Sequence, residues 1–238
     1  MNDNLEMSKT IEFDGCDGGD PGSPDSPSIW IFGIEHGIYK SKNDLAYQNV
    51  ESIYDEDYSV KTQLNWPYNQ KAFKLLAAID GLPVETYKQF AYAKQPFVKG
   101  SRGYFKGNLY PYACRNVSDW PAEAEIETGM TKIKYREWCK QNHIPSIKNW
   151  VDKYRPKVFI GVGTTNKTQF AHAAFGRDVE FNVFQFSVNG YIKRIFTAKS
   201  DDRRLVVVPH LSGSRHGLNS NESLQKAGEY ISEFILKK

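Results

Sequence analysis

Cysteine is scarce in this chain. Three residues in 238, Cys16, Cys114 and Cys139, are too few and too widely spaced for a disulfide framework or a CxxC metal knuckle. A reducing, cytoplasmic compartment is the expectation that follows. No apolar run approaches the roughly 18 residues that a membrane-spanning helix needs. The amino terminus MNDNLEMSKT is acidic and polar, where a secretory leader would be basic and then apolar. Neither a membrane segment nor a cleaved leader is expected. Excess charge is also missing: a formal net charge of +3 is too small to indicate a nucleic-acid partner by itself. No internal repeat is present.

The chain does have apolar content, 40% of its residues, enough to bury a substantial core. Its charges are unevenly placed. The first sixty residues are acidic, whereas KGSRGYFKGN, KIKYREWCKQNH, IKRIFTAK and SGSRH are basic and interleaved with aromatics. That pattern suits a surface tracking phosphates and equally suits ordinary solvated faces. DGCDGGDPGSPDSPS, Asp14 to Ser28, is dense in turn residues and reads as an irregular loop. It lacks the spacing and the closing Glu of a calcium loop. Residues 1–27 are therefore set apart as an irregular leading segment and 28–238 as a single domain.

Short apolar runs predict buried strands at Ser28 to Gly33 and Lys157 to Gly163, with a third at Leu205 to Val208 and a weaker one at Phe105 to Tyr112. Helical periodicity marks Asn69 to Gly81, two successive segments between Thr131 and Tyr154, and Asn166 to Gly176. A final helix starts at Asn219, with Glu222 three residues on, and runs to Leu236. Asn189-Gly190, between alternating segments, predicts a hairpin. Strands alternating with helices predict a three-layer α/β/α fold on a central, mostly parallel four-stranded sheet, elaborated by that hairpin. In such sheets ligands bind beyond the carboxyl ends of the strands. GIEHG, GNLYPY, GVG and HLSGSRHG should therefore converge.

Within those strand ends, Gly33 and Gly37 allow close backbone approach, Glu35 could activate water, and Asn108 and His210 are polar groups at the ends of other strands. Taken singly, Glu35 also fits a helix cap, His36 a surface residue and His210 a hydrogen-bonded structural histidine.

Together, in this order, the motifs resemble the uracil-DNA glycosylase superfamily. GIEHG resembles its first motif, whose forms include GQDPY, GINPG and GEAPG. NWPYNQKAFKLL resembles the segment that follows, GNLYPYACR the strand carrying the base-reading asparagine, and HLSGSRHG the second motif with its DNA-entering loop. The resemblance runs from Ile29 to about Leu236. It implies removal of uracil or a related deaminated base, flipped out of single- or double-stranded DNA, as in base-excision repair. On it, Glu35 and His210 are the catalytic residues, placing water and donating to the departing base. Gly33, His36, Gly37, Tyr68 and Asn108 bind the base, Tyr68 by stacking and Asn108 by reading its edge. Ser212, Gly213, Ser214, Arg215 and His216 enter DNA, with Arg215 as the wedge. A monomer is expected, and no cofactor: three scattered cysteines cannot supply the four ligands of the iron–sulfur cluster of some branches.

The chain departs from the family at Glu35, one methylene longer than the usual Asp or Asn, at His36, which replaces a proline, and at Leu211, which replaces another. These departures motivate an alternative: a catalytically altered member that binds nucleic acid or a nucleobase for sensing or regulation. A third reading is a distinct hydrolase in which Glu35, His36 and His210 hold zinc.

Overall fold

The computed structural model describes residues 15–37, 58–114 and 118–237, without the side chain of His36. The buried runs do form strands, because residues with apolar side chains on both faces are satisfied only between two helical layers. The central strands are β4 (Ile29–Gly37), β5 (Tyr104–Cys114), β6 (Val158–Val162) and β9 (Arg203–Val208). They lie parallel in the order β5-β4-β6-β9. Gly33 stands opposite Asn108, and Phe159–Val162 pair with Leu205–Val208.

Alternation along β4 divides the core. Ile29 and Ile31 pack on one face with apolar residues of α2 (Pro67–Ile79), α3 (Tyr87–Lys94) and α8 (Asn221–Leu236). Trp30, Phe32 and Ile34 pack on the other with α5 (Lys132–Gln141), α6 (His143–Tyr154) and α7 (Lys167–Phe175). The fold is thus α/β, a mixed, mostly parallel sheet flanked by helices on both faces. No described helix is long and apolar enough to cross a membrane.

The sheet has seven strands rather than the four expected. The hairpin, β7 (Asn182–Val188) and β8 (Tyr191–Ser200), is part of the sheet, because β8 pairs antiparallel with β9. Its turn has positive φ at Asn189 (50°) and Gly190 (77°), the requirement that made Asn-Gly informative.

The other edge corrects the reading of Asp14 to Ser28 as wholly irregular. β1 (Cys16–Gly19) pairs antiparallel with β5, and β2 (Gly22–Ser23) and β3 (Ser26–Pro27) form a small ribbon. A glycine-rich segment reads as loop because it lacks side chains to pack, yet here their absence lets it lie close to its neighbours. A Cβ on Gly18 would stand 2.5 Å from the Phe97 carbonyl oxygen and one on Gly19 2.2 Å from that of Tyr104, both with positive φ.

Three smaller differences have local causes. The last helix is capped by Ser220 with Ser223, one residue past the expected Asn219, since the serine pair closes the capping box. The strand predicted to end at Tyr112 continues through Pro111 to Cys114. α1 (Val60–Gln63), α3 and α4 (Ala122–Thr128) were not anticipated, being short and weakly patterned.

α2 and α8 approach closely at Gly228, where a Cβ would lie 2.3 Å from the Ala78 Cβ and 2.9 Å from its carbonyl carbon. Overpacking costs about 1–3 kcal/mol, against a helix-propensity gain of about 1 kcal/mol for Gly→Ala. Gly228→Ala is therefore expected to lower stability in urea denaturation. A stabilised variant would show that the helices separate freely.

Candidate functional site

Four sequence-distant residues meet where the parallel strands end. Gly33 on β4 faces Asn108 on β5: a Cβ at Gly33 would stand 2.6 Å from Asn108 Oδ1 and 3.6 Å from the Tyr68 hydroxyl. Only glycine accommodates the amide there. Tyr68 lies in the first turn of α2, which Pro67 opens with a preset φ. Its ring meets that of His210 edge-on, with centroids 6.5 Å apart. His210 follows β9 directly after Pro209 and remains exposed. Gly33, Asn108 and His210, from three of the strand ends expected to converge, thus lie with Tyr68 at one end of the sheet, and Glu35 does not join them.

Beneath these residues lies a buried polar network that the motifs did not indicate. Lys106, two positions before Asn108 on β5 and so on the same face, pairs with Asp17 of β1 at 2.8 Å. The two side chains are 8% and 2% exposed. Lys106 Nζ also donates to Tyr58 Oη and to Asn69 Oδ1, each at 3.0 Å. Asn69 Nδ2 reaches Gln63 Oε1 at 3.4 Å, and Gln63 Nε2 donates to the carbonyls of Tyr58 (2.9 Å) and Pro96 (3.2 Å). Asn108 Nδ2 donates to the Gly15 carbonyl at 3.2 Å and has a longer contact with Asp17 Oδ1 at 3.4 Å. The sequence signal for this network was Lys106 inside an otherwise apolar strand, together with the aspartate between Cys16 and Gly18.

Burial would depress the Lys106 pKa, but Asp17, Tyr58 and Tyr68 outweigh it and the net displacement is upward, so the lysine stays charged. Burial raises the Tyr68 pKa against the opposing pull of Lys106, whose Nζ lies 5.2 Å from the ring centroid. The phenol therefore stays protonated. Its oxygen is buried without a hydrogen-bond partner among the described residues. At His210, partial desolvation of the ring and then the charge of Lys71 lower the pKa, which favours neutral imidazole at pH 7.

Glu35 is placed differently from the expectation that it positions water beside Asn108. Its carboxylate, in a side chain 6% exposed, binds Arg136 Nη2 at 2.7 Å and Lys132 Nζ at 3.5 Å. Both cations come from α5, whose buried residues belong to the core on the sheet face opposite α2. The ladder shifts register between Glu35 and Gly37. Such an irregularity re-aims side chains that strict alternation would place on the other face. Gly37 is exposed, with open space around its Cα. His36 contributes its backbone to β4, and its side chain lies outside the described residues. Among the described residues no group of three or more His, Cys, Asp or Glu side chains could hold a metal ion. The zinc alternative needs His36 and is not supported by the rest of its ligand set: Glu35 is engaged by two cations.

The segment expected to enter DNA is a compact exposed loop. Ser212 is half-buried, and Gly213, Ser214, Arg215 and His216 are exposed. The loop is closed by Leu218 N–H donating to the His210 carbonyl at 2.9 Å. Lys193 of β8, 1% exposed, reaches under it and donates to the carbonyls of Arg215 (2.5 Å) and Gly217 (2.7 Å). A Cβ on Gly217 would come 2.5 Å from the His210 carbonyl oxygen, so glycine permits this closure. The Arg215 guanidinium sits 5.9 Å from the Tyr191 ring centroid, and the His216 ring meets Tyr191 edge-on at 6.2 Å.

Breaking a buried ion pair from one side typically costs about 3–5 kcal/mol, because the remaining charge has no counter-ion. Asp17→Ala should lose stability on that scale in urea denaturation, and Asp17→Ala with Lys106→Met should recover most of it. Equal loss in both variants would show that packing, not charge, governs the site. No protein-family model matches the sequence, and no significant match to a curated protein sequence is found.

Proposed function

We propose that the strand-end site accepts a nucleobase flipped out of DNA, uracil or a related deaminated base, and that the protein cleaves its N-glycosidic bond. The observation carrying this reading is that Asn108 and Tyr68 meet at Gly33 and that the Tyr68 ring in turn meets His210, three separate segments brought to one place. An aromatic ring, an amide and a neutral imidazole at the ends of parallel strands match the needs of such a base: a stacking face, an edge reader and a donor to the leaving group. Negative charge develops on the departing base. A neutral imidazole N–H from His210 stabilises that charge, an interaction of a type whose loss raises a barrier by roughly 2.7–4 kcal/mol. The exposed loop bearing Arg215 stands directly after His210, where it can fill the space vacated in the duplex. For this, Arg215 gives up its contact with Tyr191, worth about 0.5–1 kcal/mol at an exposed site.

Glu35 favours a second reading. With both carboxylate oxygens in ion pairs to α5, it ties the end of β4 to that helix, and a hydrolytic route through it requires release from Arg136 or Lys132. Base recognition without bond cleavage needs no such release.

Single-turnover assays on single- and double-stranded oligonucleotides carrying uracil, hypoxanthine or xanthine separate the two readings. Cleavage is expected, and Asn108→Ala and His210→Ala should each reduce it by about a hundredfold or more. Folded protein that binds these oligonucleotides and cleaves none would establish recognition alone. Because the His210 pKa is lowered, the neutral form predominates at pH 7 and is lost as pH falls through a value below the ordinary histidine one. The rate should thus be level from pH 7 to 8 and decline on acidification, and His210→Gln should remove that decline.

A further inference from the structure

The orientation of the Asn108 amide is set by the amino-terminal edge strand. Both neighbours of Nδ2, the Gly15 carbonyl and the ion-paired Asp17 carboxylate, are acceptors. A flipped amide would set its oxygen against two other oxygens and lose both contacts. Asp17 in turn cannot swing away, because Lys106 holds it from below and is itself held by Tyr58 and Asn69. Asp17 follows Cys16 in β1 and so points to the opposite face: Cys16 packs against the other core, and Asp17 meets Lys106.

The consequence falls on the other end of the amide. Oδ1 is turned toward Gly33 and, among the described residues, accepts no hydrogen bond. The Tyr68 hydroxyl, also without a partner among them, lies beside the same glycine. The site therefore offers a fixed acceptor, and the protonated hydroxyl beside it is buried.

Resting on the base-binding reading above, we infer that Asp17 is a positioning residue. By locking the Asn108 amide with its oxygen toward the site, it makes the site select a ring edge bearing N–H and reject one that presents a bare ring nitrogen. Deoxyuridine has the first edge and deoxycytidine the second. In Asp17→Asn the new side chain can donate as well as accept, so the Asn108 amide is free to turn. Lys106 retains Tyr58 and Asn69 as partners in this variant. Asp17→Asn combined with Lys106→Met removes the charge as well, should the single variant fold poorly.

Two readouts test this on the full chain. Hydrogen exchange of the Asn108 side-chain amide, assigned by its absence in Asn108→Ala, needs no ligand. It should be slow in the wild type and at least about tenfold faster in the Asp17 variants, as expected when a buried amide loses its hydrogen bonds. Titration with deoxyuridine and deoxycytidine should show a preference for deoxyuridine of about tenfold or more in the wild type, falling to within about threefold in the variants. Unchanged amide exchange in the variants would overturn the lock. Faster exchange with the preference intact would overturn its role in selectivity. A wild type that binds neither nucleoside, with exchange responding as expected, would overturn the base-binding reading and the selectivity built on it, leaving the lock as a purely structural contact.

Discussion

Lys106 and Asp17 bring opposite charges together at 2.8 Å inside the protein, and the polar end of the fold is organised around them. Removing two ions from water costs several kcal/mol each, so such a pair persists only where further hydrogen bonds complete it. Tyr58, Asn69 and Asn108 supply those bonds, and each belongs to a different part of the chain. The same pair attaches the amino-terminal edge strand to β5 and to the amino end of α2. Glycines at the edge make that attachment possible, because any larger residue at Gly18 or Gly19 would meet backbone oxygen.

The sheet acts as a partition between two polar assemblies. On one face, Asp17, Lys106, Asn69 and Asn108 surround the strand ends next to Tyr68 and His210. On the other, Glu35 is enclosed by Lys132 and Arg136. This separation bears directly on chemistry. The groups that the proposed function assigns to the base are together, whereas Glu35 is committed to an ion-paired contact on the other face. Under that proposal, cleavage adds the demand that Glu35 change partners. The loop after His210 is held from beneath by Lys193 through its carbonyls, which leaves its side chains available at the surface.

Much of this was visible in the chain before any coordinates. Continuous apolar runs, ended by glycine in β4 and β6 and by Pro209 in β9, specified these strands, since such runs are stable only between two layers. Asn-Gly specified the hairpin through its positive φ angles, and helical periodicity from Asn69 specified α2, which begins two residues earlier at Pro67. Placing Gly33, Asn108 and His210 at one end required only the rule that parallel strands deliver their carboxyl ends to the same side, whereas Tyr68 was singled out by the family resemblance. The glycine-rich edge strand was not legible, because its pairing depends on fit to β5 rather than on any pattern of its own. The seven-strand count was missed for the same reason: pairing at an edge is decided by the neighbour.

The sequence by itself therefore determined the alternation of strands and helices, the two-sided core and the end of the sheet at which the site lies. These follow from local periodicity and turn chemistry. Only the tertiary structure decided which polar groups meet. Asn108 and Asp17 are 91 residues apart, Lys106 and Asn69 are 37, and Glu35 and Arg136 are 101. A carboxylate has the same local signature whether it faces a ligand or a lysine. Its role is settled by the charge brought against it when the layers close, and by the cost of burying it without one.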